Sequence, residues 1–132
     1  MIRSGRAKLD DTLADLRGRV VAELPAQLQM MLAVTRRLAV SGGKQRPTLL
    51  RELERSAHGI AGRAAMFDLP DVMQAALDIE RLAGQLGRQS EQVEPRAAPP
   101  GAADAQALGE VVERFAQACA SASVPDEAPV TH

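Results

Sequence analysis

Two side chains in this 132-residue sequence have the types and the spacing to do chemistry together: His58 and Glu80. An imidazole changes charge near neutral pH, and its unprotonated nitrogen is a nucleophile. A carboxylate that accepts a hydrogen bond from Nδ1–H fixes the tautomer and leaves Nε2 unprotonated and outward. The other histidine, His132, stands at the chain end.

His58 lies inside a helical pattern but off its core face. Leu49, Leu53, Ala57, Ile60, Ala64 and Phe67 recur at helical spacing and define a buried stripe. At about 100° per residue, His58 points roughly 130° from the middle of that stripe. Arg51, Glu54, Arg55, Gly62 and Ala65 share its face. Glycine costs a helix about 1 kcal/mol relative to alanine, so Gly62 asks for a reason. With Ala65 on the same face and Ala61 beside them, it leaves the surface low around the ring. That suits close approach of a partner or of a phosphoryl group. Arg55, one turn before His58, is the nearest same-face cation.

Glu80 enters through the turn. Asp68-Leu69-Pro70-Asp71 is a tight junction, so the helices on either side should form an antiparallel hairpin. His58 precedes Leu69 by 11 residues and Glu80 follows it by 11. At about 1.5 Å per residue, each sits roughly 16 Å from the turn. Glu80 falls on the flank of its helix's apolar stripe, within reach of the imidazole.

The elements that must position this pair read as helix after helix. Leu9, Leu13, Leu16 and Val20 give a first short amphipathic stripe. Pro25 fits the first turn of a second helix, which buries Leu24, Leu28, Met31, Leu32, Thr35 and Leu38 and stops at Ser41-Gly42-Gly43. Pro47 opens the third helix, which carries His58 to about Phe67. Asp68 can cap the fourth, with Val72, Ala76, Ile79, Ala83 and Leu86 inward. Residues 87–102, with Pro95, Pro99, Pro100 and Gly101, read as a flexible linker. Asp104 can cap a fifth helix built on Leu108, Val111, Val112, Phe115 and Cys119. The expected architecture is all-α: an antiparallel up-down four-helix bundle with an additional short N-terminal helix. It makes one domain over residues 1–122, followed by a disordered tail at 123–132.

Composition removes several functions. Aromatic residues are 2% of the chain, with no Trp or Tyr, which takes away stacking platforms for bases and sugars. The net charge of −1 offers no broad attraction to nucleic acid or anionic membrane. No apolar run is long enough to span a bilayer. The single cysteine, Cys119, excludes an intrachain disulfide and fits a reducing, cytoplasmic setting. Two isolated histidines without a cysteine cluster give no metal ligand set. No ATP-binding signature is present.

The run Ala57-His58-Gly59-Ile60-Ala61-Gly62-Arg63-Ala64-Ala65-Met66-Phe67, continued by Ile79-Glu80, resembles the histidine-containing phosphotransfer (HPt) domain family. That family carries H-x-L-K-G, then small residues, then a hairpin ending in an apolar residue followed by Glu or Gln. His58, Ile60, Gly62 and Ile79-Glu80 match, and the resemblance covers roughly residues 10 to 120. Two positions depart. The family's Lys three residues after the histidine is Ala61, and the Gly near the end of that helix is Asp68.

The resemblance implies a phosphocarrier, not an enzyme. His58 would accept a phosphoryl group on Nε2, and Glu80 would orient the ring. Gly62, Ala61 and Ala65 would provide clearance, and Arg55 would contact phosphate. The partners implied are response-regulator receiver domains and a sensor histidine kinase. No cofactor would be bound by this chain, Mg²⁺ belonging to the receiver, and a monomer is the family's common state. The absent Lys implies weaker phosphate stabilisation. It favours one rival, a non-phosphorylated adaptor that occupies and inhibits receivers. A second rival, a phosphoacceptor module cut from a larger kinase, sits less well with Met1 and the C-terminal tail.

Overall fold

The computed structural model describes residues 4–40, 44–92 and 101–122. Four helices fill almost all of them: α1 (Ser4–Val40), α2 (Arg46–Met66), α3 (Pro70–Gln92) and α4 (Gly101–Ala122). No strand occurs among the described residues, and none of their helices is long and apolar enough to cross a membrane.

The local chemistry of α2 and α3 explains their bounds. Pro47 sits in the first turn of α2, where a missing N–H leaves no intrahelical bond unmade. At the other end, Phe67 N–H donates to the Arg63 carbonyl at 3.1 Å, and Leu69 N–H reaches back to the Ala64 carbonyl at 2.9 Å. Asp68 between them adopts φ 58°. This is the left-handed closure that ends many helices, with Leu69 then tucked into the core at 4% exposure. Asp68 was expected to cap α3. It closes α2 instead, in a conformation that aspartate tolerates better than most non-glycine residues. Pro70 and Asp71 open α3, where an acid suits the positive end of the helix dipole.

Three expectations are corrected. The additional short N-terminal helix is not separate: α1 runs through Pro25 as one helix of 37 residues. Pro25 is exposed, while Val20 and Leu24 before it and Met31 and Val34 after it are buried on one face. Continuous packing along that face outweighs the lost hydrogen bond, a penalty of about 3 kcal/mol. Residues 87–92 and 101–102, expected in the linker, are helical, because α3 continues to Gln92 and α4 begins at Gly101. The remainder of that linker, and the tail at 123–132, lie outside the described residues. Asp104 lies inside the first turn of α4 and is buried. It pairs there with the guanidinium of Arg46 at the start of α2.

The helices alternate in direction. α2 packs chiefly on α3 and α1 chiefly on α4, with α3–α4 and α1–α2 contacts completing the ring. Leu24, Met31, Leu53, Ile60, Ile79, Leu108 and Phe115 fill the centre and are essentially inaccessible. Burying each such side chain contributes about 1.5–3 kcal/mol, which fixes the α2–α3 register that the site depends on. Leu9, Leu13 and Leu16 are 57%, 43% and 38% exposed, so among the described residues only the Val20 end of the first stripe is covered. α1 is about 55 Å long and α2 about 31 Å at 1.5 Å per residue. Arg17 Nε donates to the Phe67 carbonyl at 3.2 Å, so α1 passes the α2–α3 turn near that point. Its first turns project beyond the turn.

Candidate functional site

α2 and α3 bring His58 and Glu80 to the same height. His58 Nδ1 lies 2.8 Å from Glu80 Oε2. A ring nitrogen at that distance from a carboxylate carries the proton and donates it. In the neutral ring Nε2 then holds the lone pair. The imidazole side chain is 76% exposed, and the Glu80 side chain is 26% exposed. The carboxylate is thus anchored against the bundle while the ring stands in solvent. That arrangement presents a nucleophilic nitrogen outward on a rigid helix.

The other predicted residues divide. Gly62 and Ala65 are exposed on the same face as His58. A Cβ added at Gly62 would meet nothing within 4 Å. No packing contact within the described chain therefore requires glycine there, and the helix still bears its cost of about 1 kcal/mol. Arg55 is exposed one turn before His58. Ala61 is not on this face. It is 6% exposed, because positions 57, 60, 61 and 64 form the i, i+3, i+4, i+7 set that faces the core. A lysine at 61 would have to run its stem along the edge of the α2–α3 seam to bring an ammonium out.

Two other residues of α2 flank the pair. Met66, two turns beyond His58, is 73% exposed. Glu54, one turn before it, is half-buried against α3. Farther off, the buried Arg46–Asp104 pair ties the starts of α2 and α4. Nε of Arg46 is buried without a hydrogen-bond partner among the described residues. Its signal was present: Arg46 and Asp104 stand in core register with Leu49, Leu50 and Leu53, and with Leu108, Val111 and Phe115. Two opposite charges at core positions near helix starts point to each other. Cys119 is buried, and burial pushes its thiol up to about 11, so it is not a nucleophile at neutral pH.

No match is found among curated proteins or among solved structures. A family model does match: that of the Hpt domain, over residues 15–130.

Proposed function

Because the chain belongs to the Hpt-domain family, whose members are phosphocarriers of phosphorelays, we propose that His58 is the phosphoacceptor and Glu80 its orienting base. The observation that carries this is the 2.8 Å contact between Nδ1 and the Glu80 carboxylate beneath an exposed ring. On this reading the lone pair on Nε2 attacks the phosphorus of a receiver's aspartyl phosphate in line. The N–P bond forms as the acyl-phosphate P–O bond breaks, and the aspartate leaves as a carboxylate. The ring gains positive character as it is phosphorylated. Glu80, accepting from Nδ1–H, stabilises that charge. A second receiver's aspartate then takes the phosphoryl group by the reverse displacement.

The bundle supplies position and an activated ring. Mg²⁺ and the groups that polarise the phosphoryl oxygens belong to the receiver. Gly62 and Ala65 let the receiver approach, and Arg55 contacts the phosphoryl oxygens. A sensor kinase is an alternative donor. The adaptor reading draws on Ala61, since the face around His58 lacks the family's lysine.

Labelled receiver phosphate decides between them. Wild-type protein should take label, His58→Gln should take none, and Glu80→Ala should take it more slowly while keeping its fold by circular dichroism. Label on His58→Gln removes His58 from the mechanism. Unchanged transfer by Glu80→Ala removes Glu80. Receiver binding without label on any variant moves the protein to the adaptor class.

A further inference from the structure

Next to the His58–Glu80 pair, one turn along both helices, stands a second pair of residues: Glu54 on α2 and Gly84 on α3. Gly84 is buried. A Cβ built on it would lie 2.7 Å from Oε2 and 3.1 Å from Cδ of Glu54. The same point is 3.4 Å from Nη1 of Arg88. No methyl group fits at 2.7 Å from an oxygen, so the Glu54 carboxylate occupies the space that a side chain at 84 would fill. Glu54, Glu80, Arg81, Gly84 and Arg88 line one shallow cavity of about 280 Å³, so this seat adjoins the site.

Glu54 is a hazard to a phosphoacceptor. It lies at i−4 from His58, and helix side chains that far apart are neighbours. His58 itself leans back over the turn that carries Glu54. A carboxylate standing free there would set a second negative charge beside the ring and repel an incoming phosphoryl group. Laid across α3 into the notch at Gly84, beside Arg88, it does neither.

We propose that Gly84 is a positioning residue: by carrying no side chain it seats Glu54 against α3 and keeps the accepting side of His58 clear of a second carboxylate. The proposal rests on the reading of His58 as phosphoacceptor for its biological meaning, but not for its test.

The group displaced by Gly84→Ala is the free end of a flexible side chain, so the backbone has no need to move. Alanine is also the better helix former. The urea midpoint of Gly84→Ala should therefore hold or rise. Reaction of His58 with diethyl pyrocarbonate at pH 7, followed by peptide mass, should fall about two- to threefold, the scale of a solvent-screened charge effect. Adding Glu54→Gln, which keeps the volume and removes the charge, should restore the wild-type rate. An unchanged rate in Gly84→Ala would overturn the proposal. So would restoration by Glu54→Ala but not by Glu54→Gln, because that pattern reports packing alone. Phosphorylation by labelled receiver should rank the variants in the same order. If the acylation pattern appears and no variant takes label, wild type included, the phosphocarrier reading fails and the role of Gly84 stands.

Discussion

A carboxylate beneath an imidazole does two jobs that neither residue does alone. It fixes which nitrogen is free, and on the proposed function it would answer the charge that the ring acquires on phosphorylation. The pairing was legible in the sequence because a tight hairpin is symmetric about its turn, so 11 residues either way return to one height. The place of Ala61 was not read correctly, although its spacing from Ala57 and Ala64 already put it with the core. The missing cation can be restored. Ala61→Lys should raise the rate of phosphoryl acceptance by His58 about two- to fivefold, the worth of one exposed charge contact. It should also lower the urea midpoint, because a core-facing methyl gives way to a stem forced outward. Single-turnover transfer from a labelled receiver, with urea denaturation alongside, measures both. Unchanged transfer would mean that the partner supplies the positive charge.

At the scale of elements, helix existence followed from apolar periodicity, while helix ends followed from forces that periodicity does not report. Pro25 looks like a helix start when only its neighbours in sequence are considered. It lies inside α1 because packing continues on both sides of it. Asp68 has the side chain of an N-cap, yet backbone hydrogen bonds across the turn assign it the left-handed closing position. Gly87 suggested a linker, but it packs inside α3, where an added Cβ would meet Leu50 at 3.7 Å. The Arg46–Asp104 pair shows how elements are tied over distance, 58 residues apart in sequence. Asp104→Ala would leave the Arg46 guanidinium buried without its counter-charge. Such a loss costs about 3–5 kcal/mol. Replacing both, as Arg46→Met with Asp104→Leu, should recover most of that stability, since apolar groups of similar size carry no desolvation penalty. Urea denaturation of the single and double variants tests the pair. Equal destabilisation in both would show that the ionic contact itself stabilises the bundle.

For the whole molecule, the decisive fact is that its helices differ in length. α2, α3 and α4, with 21, 23 and 22 residues, bury their apolar faces on one another and on the C-terminal part of α1. α1 outruns them. The family match begins at residue 15, whereas α1 begins at Ser4, so Leu9 and Leu13 lie outside the matched domain as well as outside the core. Equal apolar side chains on one helix should therefore have unequal worth. Leu24, at 2% exposure, should cost about 2–5 kcal/mol on truncation to alanine, through lost burial and the cavity left behind. Leu9→Ala and Leu13→Ala should each change stability by less than about 0.5 kcal/mol, as surface substitutions do. They should also leave the rate of label uptake by His58 unchanged, because the His58–Glu80 pair proposed as the acceptor site is set by the α2–α3 register. Urea titration of the three variants at one protein concentration, with the transfer assay run on each, measures both claims. A loss of stability in Leu9→Ala comparable to that in Leu24→Ala would mean that the projecting turns of α1 are buried in solution and that the bundle is longer than four helices of unequal length make it.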